Sequence, residues 1–78
     1  MPLFERLRET VAATLKVDLA TITESSSDQN VRTWDSLGQV NLMVALEDTF
    51  GIRLEPEDFL KLTSVAAILA HLRAEGLE

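Results

Sequence analysis

The chain predicts an all-α fold, three longer helices and one short one around a long first loop, on three observations. Apolar residues recur at helical spacing in three separate stretches. Nowhere is there the strict alternation of a half-buried strand. The 78 residues include only two prolines and three glycines, with no repeat or low-complexity tract, which favours regular structure over disorder.

Residues 2 to 16 read as an amphipathic helix. Leu3, Phe4, Leu7, Val11 and Leu15 fall on one arc, with Glu5, Arg6, Arg8 and Glu9 around the rest. Pro2 is tolerated in a first turn, where its missing N–H has no partner to lose. Residues 17 to 34 lack periodicity and are rich in Ser, Thr, Asp and Asn. So long a loop in so small a protein either packs in its own right or has a function. Leu19, Ile22, Val31 and Trp34 are its expected anchors across the core.

A second helix runs from Ser36 to about Phe50, with Gly51 in the C-cap role. Leu42, Met43, Leu46 and Phe50 share one side, broken only by Gln39, and form the expected core face. Leu37, Val40 and Val44 lie roughly opposite, interleaved with Asn41, Glu47 and Asp48. That second stripe suits a surface that meets partners, unless Leu37 and Val40 pack beneath the loop. After Gly51, Ile52-Arg53-Leu54 reads as extended, and Pro56-Glu57-Asp58-Phe59-Leu60 as one short helical turn begun by Pro56. Thr63 or Ser64 caps a last helix whose buried stripe is Val65, Ile68, Leu69 and Leu72, and Gly76 ends it.

Composition narrows the function. Seven basic against thirteen acidic residues give a net charge of −6, so the basic footprint of a nucleic-acid binder is missing. An acidic surface steers a small protein toward basic patches on partners. Without cysteine there is neither a disulfide nor a thiolate metal site, and stability must come from packing 46% hydrophobic residues. The start, Met1 to Glu9, is charged throughout and unlike a signal peptide, and no apolar run reaches transmembrane length. A single domain over 1–78 is expected, cytoplasmic, monomeric and without membrane partners.

Few residues are equipped for chemistry. A serine nucleophile needs a base, and the one histidine, His71, lies off the apolar stripe of the last helix and is expected at the solvated surface. Glu47-Asp48 and Glu57-Asp58 are sequence neighbours that point apart on a helix, so they read as solvated faces. Calcium-loop, Gly-rich phosphate-loop and paired-histidine spacings are absent, and no metal site is expected. The remaining feature is Trp34-Asp35-Ser36-Leu37 at a helix start. It sets an exposed hydroxyl beside unpaired backbone N–H groups, a place suited to a phosphate-linked group. Asp35 can cap that helix, and Ser36-x-x-Gln39 equally fits a capping box, in which Ser36 would only cap.

Asp35-Ser36-Leu37 at the start of the second helix, followed by Leu42, Leu46, Phe50 and Gly51-Ile52, resembles the acyl carrier protein family over essentially the whole chain. The resemblance implies an acyl-carrier-like four-helix bundle that is not an enzyme. It implies that Ser36 receives 4′-phosphopantetheine from coenzyme A through a phosphopantetheinyl transferase and Mg²⁺, with Asp35 and Leu37 as flanking motif residues. The arm's thiol would then hold an acyl, ketide or aminoacyl group as a thioester. An acyltransferase or adenylating ligase would load it, and synthase or transferase enzymes would meet it across Leu37, Val40, Asn41, Val44, Glu47 and Asp48. Leu42, Met43, Leu46, Phe59, Leu62 and Ile68 could line a cargo cavity or simply form core. Gly38-Gln39-Val40-Asn41 is uncharged where carriers of primary fatty-acid synthesis are acidic, and Trp34 resembles the Trp-Asp-Ser-Leu form of free-standing carriers in specialised pathways. Polyketide or related secondary metabolism is therefore expected. The alternatives are a fatty-acid synthesis carrier and an acidic helical interaction module.

Overall fold

A computed structural model describes residues 2–77, so the terminal residues of the expected 1–78 domain lie outside it. The chain runs α1 (Leu3–Leu15), a short 3₁₀ turn (Leu19–Thr21), α2 (Ser36–Phe50), α3 (Asp58–Lys61) and α4 (Val65–Ala74). The all-α bundle of three longer helices and one short one is as expected. Among the described residues the only β pairing is an isolated antiparallel bridge, Ser27 with Ser64.

Helix α1 buries Leu3, Leu7, Val11, Ala12 and Leu15, the i, i+4 spacing that stacks side chains on one face. Phe4, expected on that arc, is only half-buried and packs at the core edge. The helix is shorter than expected at both ends. Pro2 is the N-cap residue, and Lys16 leaves the helix in the left-handed region at φ 60°. There the Lys16 and Val17 N–H groups both donate to the Ala12 carbonyl, which closes the last turn.

Helix α2 buries Gly38, Gln39, Leu42, Met43, Leu46 and Phe50, so the expected core face is the actual one. Gly51, at φ 66°, caps its C-terminus by donating to the Glu47 carbonyl at 2.9 Å. Helix α3 starts at Asp58 rather than Pro56, because Glu55 and Pro56 are spent on the preceding turn. The Asp58 carboxylate accepts from the Glu55 N–H at 2.9 Å, so this acid is not merely solvated. Ser64, not Thr63, caps α4 by accepting the Ala67 N–H at 3.1 Å, and Val65, Ile68, Leu69 and Leu72 are buried as expected.

The long loop lies across the core on Ile22, Val31 and Trp34, all buried. Leu19 is a correction: it sits exposed on the 3₁₀ turn, and its carbonyl rather than its side chain is the point of attachment. The Arg8 guanidinium donates through Nε to the carbonyls of both Leu19, at 3.2 Å, and Ile22, at 3.0 Å. Ser26 is buried, its Oγ accepting from the Thr23 N–H at 2.9 Å and donating to the Thr21 carbonyl at 3.3 Å. The loop is then stitched to the entry of α4. The Val65 N–H donates to Ser26 O at 2.9 Å, and the Asp28 N–H to Thr63 O at 3.0 Å. Each bond satisfies a backbone group that would otherwise be left unpaired beside the core.

Candidate functional site

The start of α2 is built by Asp35. Its backbone is extended, and its carboxylate accepts the Gly38 N–H at 2.9 Å while its carbonyl accepts the Gln39 N–H at 2.7 Å. Asp35 is the cap, and Ser36 is the first helical residue, its side chain exposed. The capping-box alternative is therefore overturned from both ends. Ser36 is not the cap, and the Gln39 side chain is spent on Trp34, Phe59 and Leu62 rather than on the backbone at the helix start. With the Gly38 N–H taken by Asp35, the N–H groups of Ser36 and Leu37 are the ones before the first intrahelical bond. They lie at the positive end of the helix dipole beside the Ser36 hydroxyl.

In sequence Gln39 is a break in the apolar stripe or a capping-box partner; in the structure it organises the neighbourhood. Its Oε1 accepts the Trp34 indole N–H at 2.6 Å. Its Nε2 donates to the carbonyls of Phe59, at 3.0 Å, and Leu62, at 2.9 Å. A glutamine amide has two donors and one acceptor oxygen, and here all are used. Gly38 was likewise missed. A Cβ there would collide with the Thr33 carbonyl oxygen and press on Leu15 and Asp35, so only glycine lets the segment before Ser36 lie against α2.

Beside Ser36 opens a cleft of about 510 Å³, walled by Trp34, Gln39 and Val40 on one side and Phe59, Leu60 and Thr63 on the other. Of the residues considered for a cargo cavity, Phe59 alone lines it. Leu42, Met43, Leu46 and Ile68 are fully buried core, and Leu62 is buried too. On the outer stripe Leu37 is 71% exposed, Val40 47% and Val44 48%, so they do not pack beneath the loop. Leu60 of α3, in sequence only the end of the short turn, is 82% exposed. Asn41 and Asp48 are exposed. Glu47 is half-buried and engaged, its Oε2 accepting the Leu54 N–H at 2.8 Å.

His71 is a correction. Its side chain is only 23% exposed, and Nε2 is buried without a hydrogen bond, 3.8 Å from a Glu75 carboxylate oxygen. It is half-buried rather than solvated, and among the described residues no acid or serine is hydrogen-bonded to it. Among the described residues no group of three or more His, Cys, Asp or Glu could hold a metal ion. No described helix is long and apolar enough to cross a membrane.

In this small helical bundle an exposed serine that caps nothing stands at the start of α2, and among the described residues no side chain is hydrogen-bonded to it. The family model described as "Phosphopantetheine attachment site" matches residues 5–72. Over 77 residues the chain is 32% identical to the acyl carrier proteins of Helicobacter pylori strains G27 and HPAG1, covering 99% of this chain and 99% of each relative. The chain belongs to the acyl carrier protein family, whose members are non-catalytic and hold 4′-phosphopantetheine covalently. The surroundings of Ser36 fit that group: an accessible hydroxyl, two helix-end N–H groups for a phosphodiester, and a cleft alongside.

Proposed function

We propose that Ser36 is the attachment point, flanked by Asp35 and Leu37, in a single-domain carrier of a dedicated biosynthetic pathway. One observation carries the reading. Asp35 performs the cap, which leaves the Ser36 hydroxyl exposed with no structural task. A phosphodiester on Ser36 Oγ would gain about 0.3–1 kcal/mol from the helix end. The bound arm supplies a thiol, and the chain has none of its own to compete with it.

Leu37, Val40, Asn41 and Val44, with Asp48, present α2 to the phosphopantetheinyl transferase, to a loading acyltransferase or ligase, and to the later enzymes of the pathway. The first turn of α2 after Ser36 is uncharged, so apolar contacts outweigh electrostatic docking there. Glu47 contributes less than its position on the stripe suggested, since its carboxylate is already used. That uncharged turn and Trp34 support a pathway of polyketide or related secondary metabolism rather than primary fatty-acid synthesis.

The test is intact mass after incubation with coenzyme A, Mg²⁺ and a broad-specificity phosphopantetheinyl transferase. One phosphopantetheine is expected on the native chain and none on Ser36→Ala. No gain on a folded native chain, with a control carrier modified in parallel, would leave an interaction module instead. For the pathway, loading of the modified chain by an adenylating ligase but not by a fatty-acid malonyl transferase is expected. The reverse preference would mark a fatty-acid carrier.

A further inference from the structure

The α3 turn is thinly held for a wall of the cleft. It is four residues long, none of them fully buried, and Leu60 projects into solvent. Its fastening comes from three places: half-buried Phe59, the buried Leu62 just beyond it, and the two donors of Gln39. The Phe59 and Leu62 carbonyls that Gln39 holds lie on either side of the turn's end, and Leu62 is buried beneath them. No other side chain among the described residues donates to either carbonyl. The same amide accepts from Trp34, two residues before Ser36.

We propose that Gln39 is a positioning residue, a latch that fixes α3 to the Ser36 end of α2 and so sets the width of the cleft beside Ser36. Its functional consequence rests on the reading of Ser36 as the attachment point; the latch itself does not. The three hydrogen bonds of one amide tie the segment before Ser36 to α3. Because a buried network of this kind is stable only when complete, its parts open together. An enzyme that docks over Ser36 meets α3 as a fixed wall while the latch is closed. With the latch released, only the fraction of molecules with α3 in place is competent to dock, which raises the apparent KM without slowing the chemical step.

The first test needs only the native, unmodified protein. Amide exchange at Leu60 and Leu62 and exchange of the Trp34 indole N–H should report one shared opening, distinct from the slower opening of α1. The Gln39→Met variant keeps the length of the side chain and removes its donors. With both α3 carbonyls stripped of their donor, it should speed exchange at Leu60 and Leu62 by about tenfold or more and leave α1 and α4 unchanged. Emission of Trp34, the only tryptophan, should shift in the same variant. The Gln39→Glu variant turns a carboxylate toward two carbonyls at neutral pH. It should lose protection at Leu60 and Leu62 there and recover it in part in acid, where the carboxyl regains one O–H donor for one of the two carbonyls.

In transferase kinetics both variants should raise KM about threefold or more at neutral pH with kcat unchanged. Separate openings for Trp34 and Leu62 in the native chain would overturn the latch, and so would a uniform loss of protection in a folded Gln39→Met. An unchanged KM would overturn its role in docking. If Gln39→Met does not fold, the native exchange measurement decides alone. Failure of the native chain to accept phosphopantetheine would remove the reading of Ser36 and leave the exchange results standing.

Discussion

Replacing Gly38 with alanine separates two physical arguments, because they predict opposite signs. Gly38 lies inside a regular helix, and helix propensity alone makes Gly→Ala stabilising by about 0.8–1 kcal/mol. The structure predicts the reverse. The added methyl would overlap the Thr33 carbonyl oxygen and come to 3.1 Å from Leu15 Cδ2 and 3.3 Å from Asp35 Oδ1. The first obstacle is backbone, which cannot swing aside as a side chain would. Relief means moving the segment 33–35 off α2, at an overpacking cost of about 1–3 kcal/mol. It also lengthens the Asp35 cap, worth about 1 kcal/mol. Together these outweigh the propensity gain and leave a net loss of about 1–3 kcal/mol. For a chain of 78 residues each kcal/mol lowers Tm by about 4–8 °C. Urea denaturation and thermal circular dichroism of the native and G38A proteins would measure it. Because Asp35 and Ser36 shift with the segment, the rate of Ser36 modification should fall as well. A Gly38→Ala protein as stable as the native one, or more so, would refute the close-packing argument.

Other expectations follow from single contacts. Arg8→Met keeps the aliphatic stem but strips the Leu19 and Ile22 carbonyls of their donor, and should cost about 1–2 kcal/mol in urea denaturation, with faster proteolysis near residue 20. Glu47→Ala leaves the partly buried Leu54 N–H without its acceptor and should cost about 1–2 kcal/mol, a loss that a solvated surface acid would not produce. Leu46→Ala, at a fully buried position, should cost about 2.5–5 kcal/mol, whereas Leu37→Ala should change stability by less than about 0.5 kcal/mol. If Leu37 belongs to the docking face, Leu37→Ala should still raise the KM of the transferase. An unaltered KM would remove it from that face.

The helices were legible because burial imposes a period. Leu3, Leu7, Val11 and Leu15, and again Val65, Ile68, Leu69 and Leu72, declare their inner faces without further information. Ser36 was legible from its place at the head of such a run. What escaped were residues whose partners lie far along the chain. Gln39 reads as a break in the apolar face or a capping partner until the Phe59 and Leu62 carbonyls are known to converge on it, 20 and 23 residues away. Gly38 needed the position of Thr33, and Leu19 misled because its carbonyl, not its side chain, is what the fold uses. His71 lies off its helix's apolar stripe, yet its Nε2 is buried.

The stitching of Ser26 and Asp28 to Val65 and Thr63 bears on the order in which the molecule assembles. Helices form from neighbours in sequence and do so early, whereas these bonds join the loop to the entry of α4 across 35 and 39 positions of the chain. They are therefore expected to form after the rate-limiting step. Loosening the loop beside them, as Ser26→Ala does by removing the Oγ bonds to the Thr23 N–H and the Thr21 carbonyl, should leave the refolding rate nearly untouched and hasten unfolding. The loop that looked like slack between two helices acts as the fastening that sets how long the folded molecule lasts.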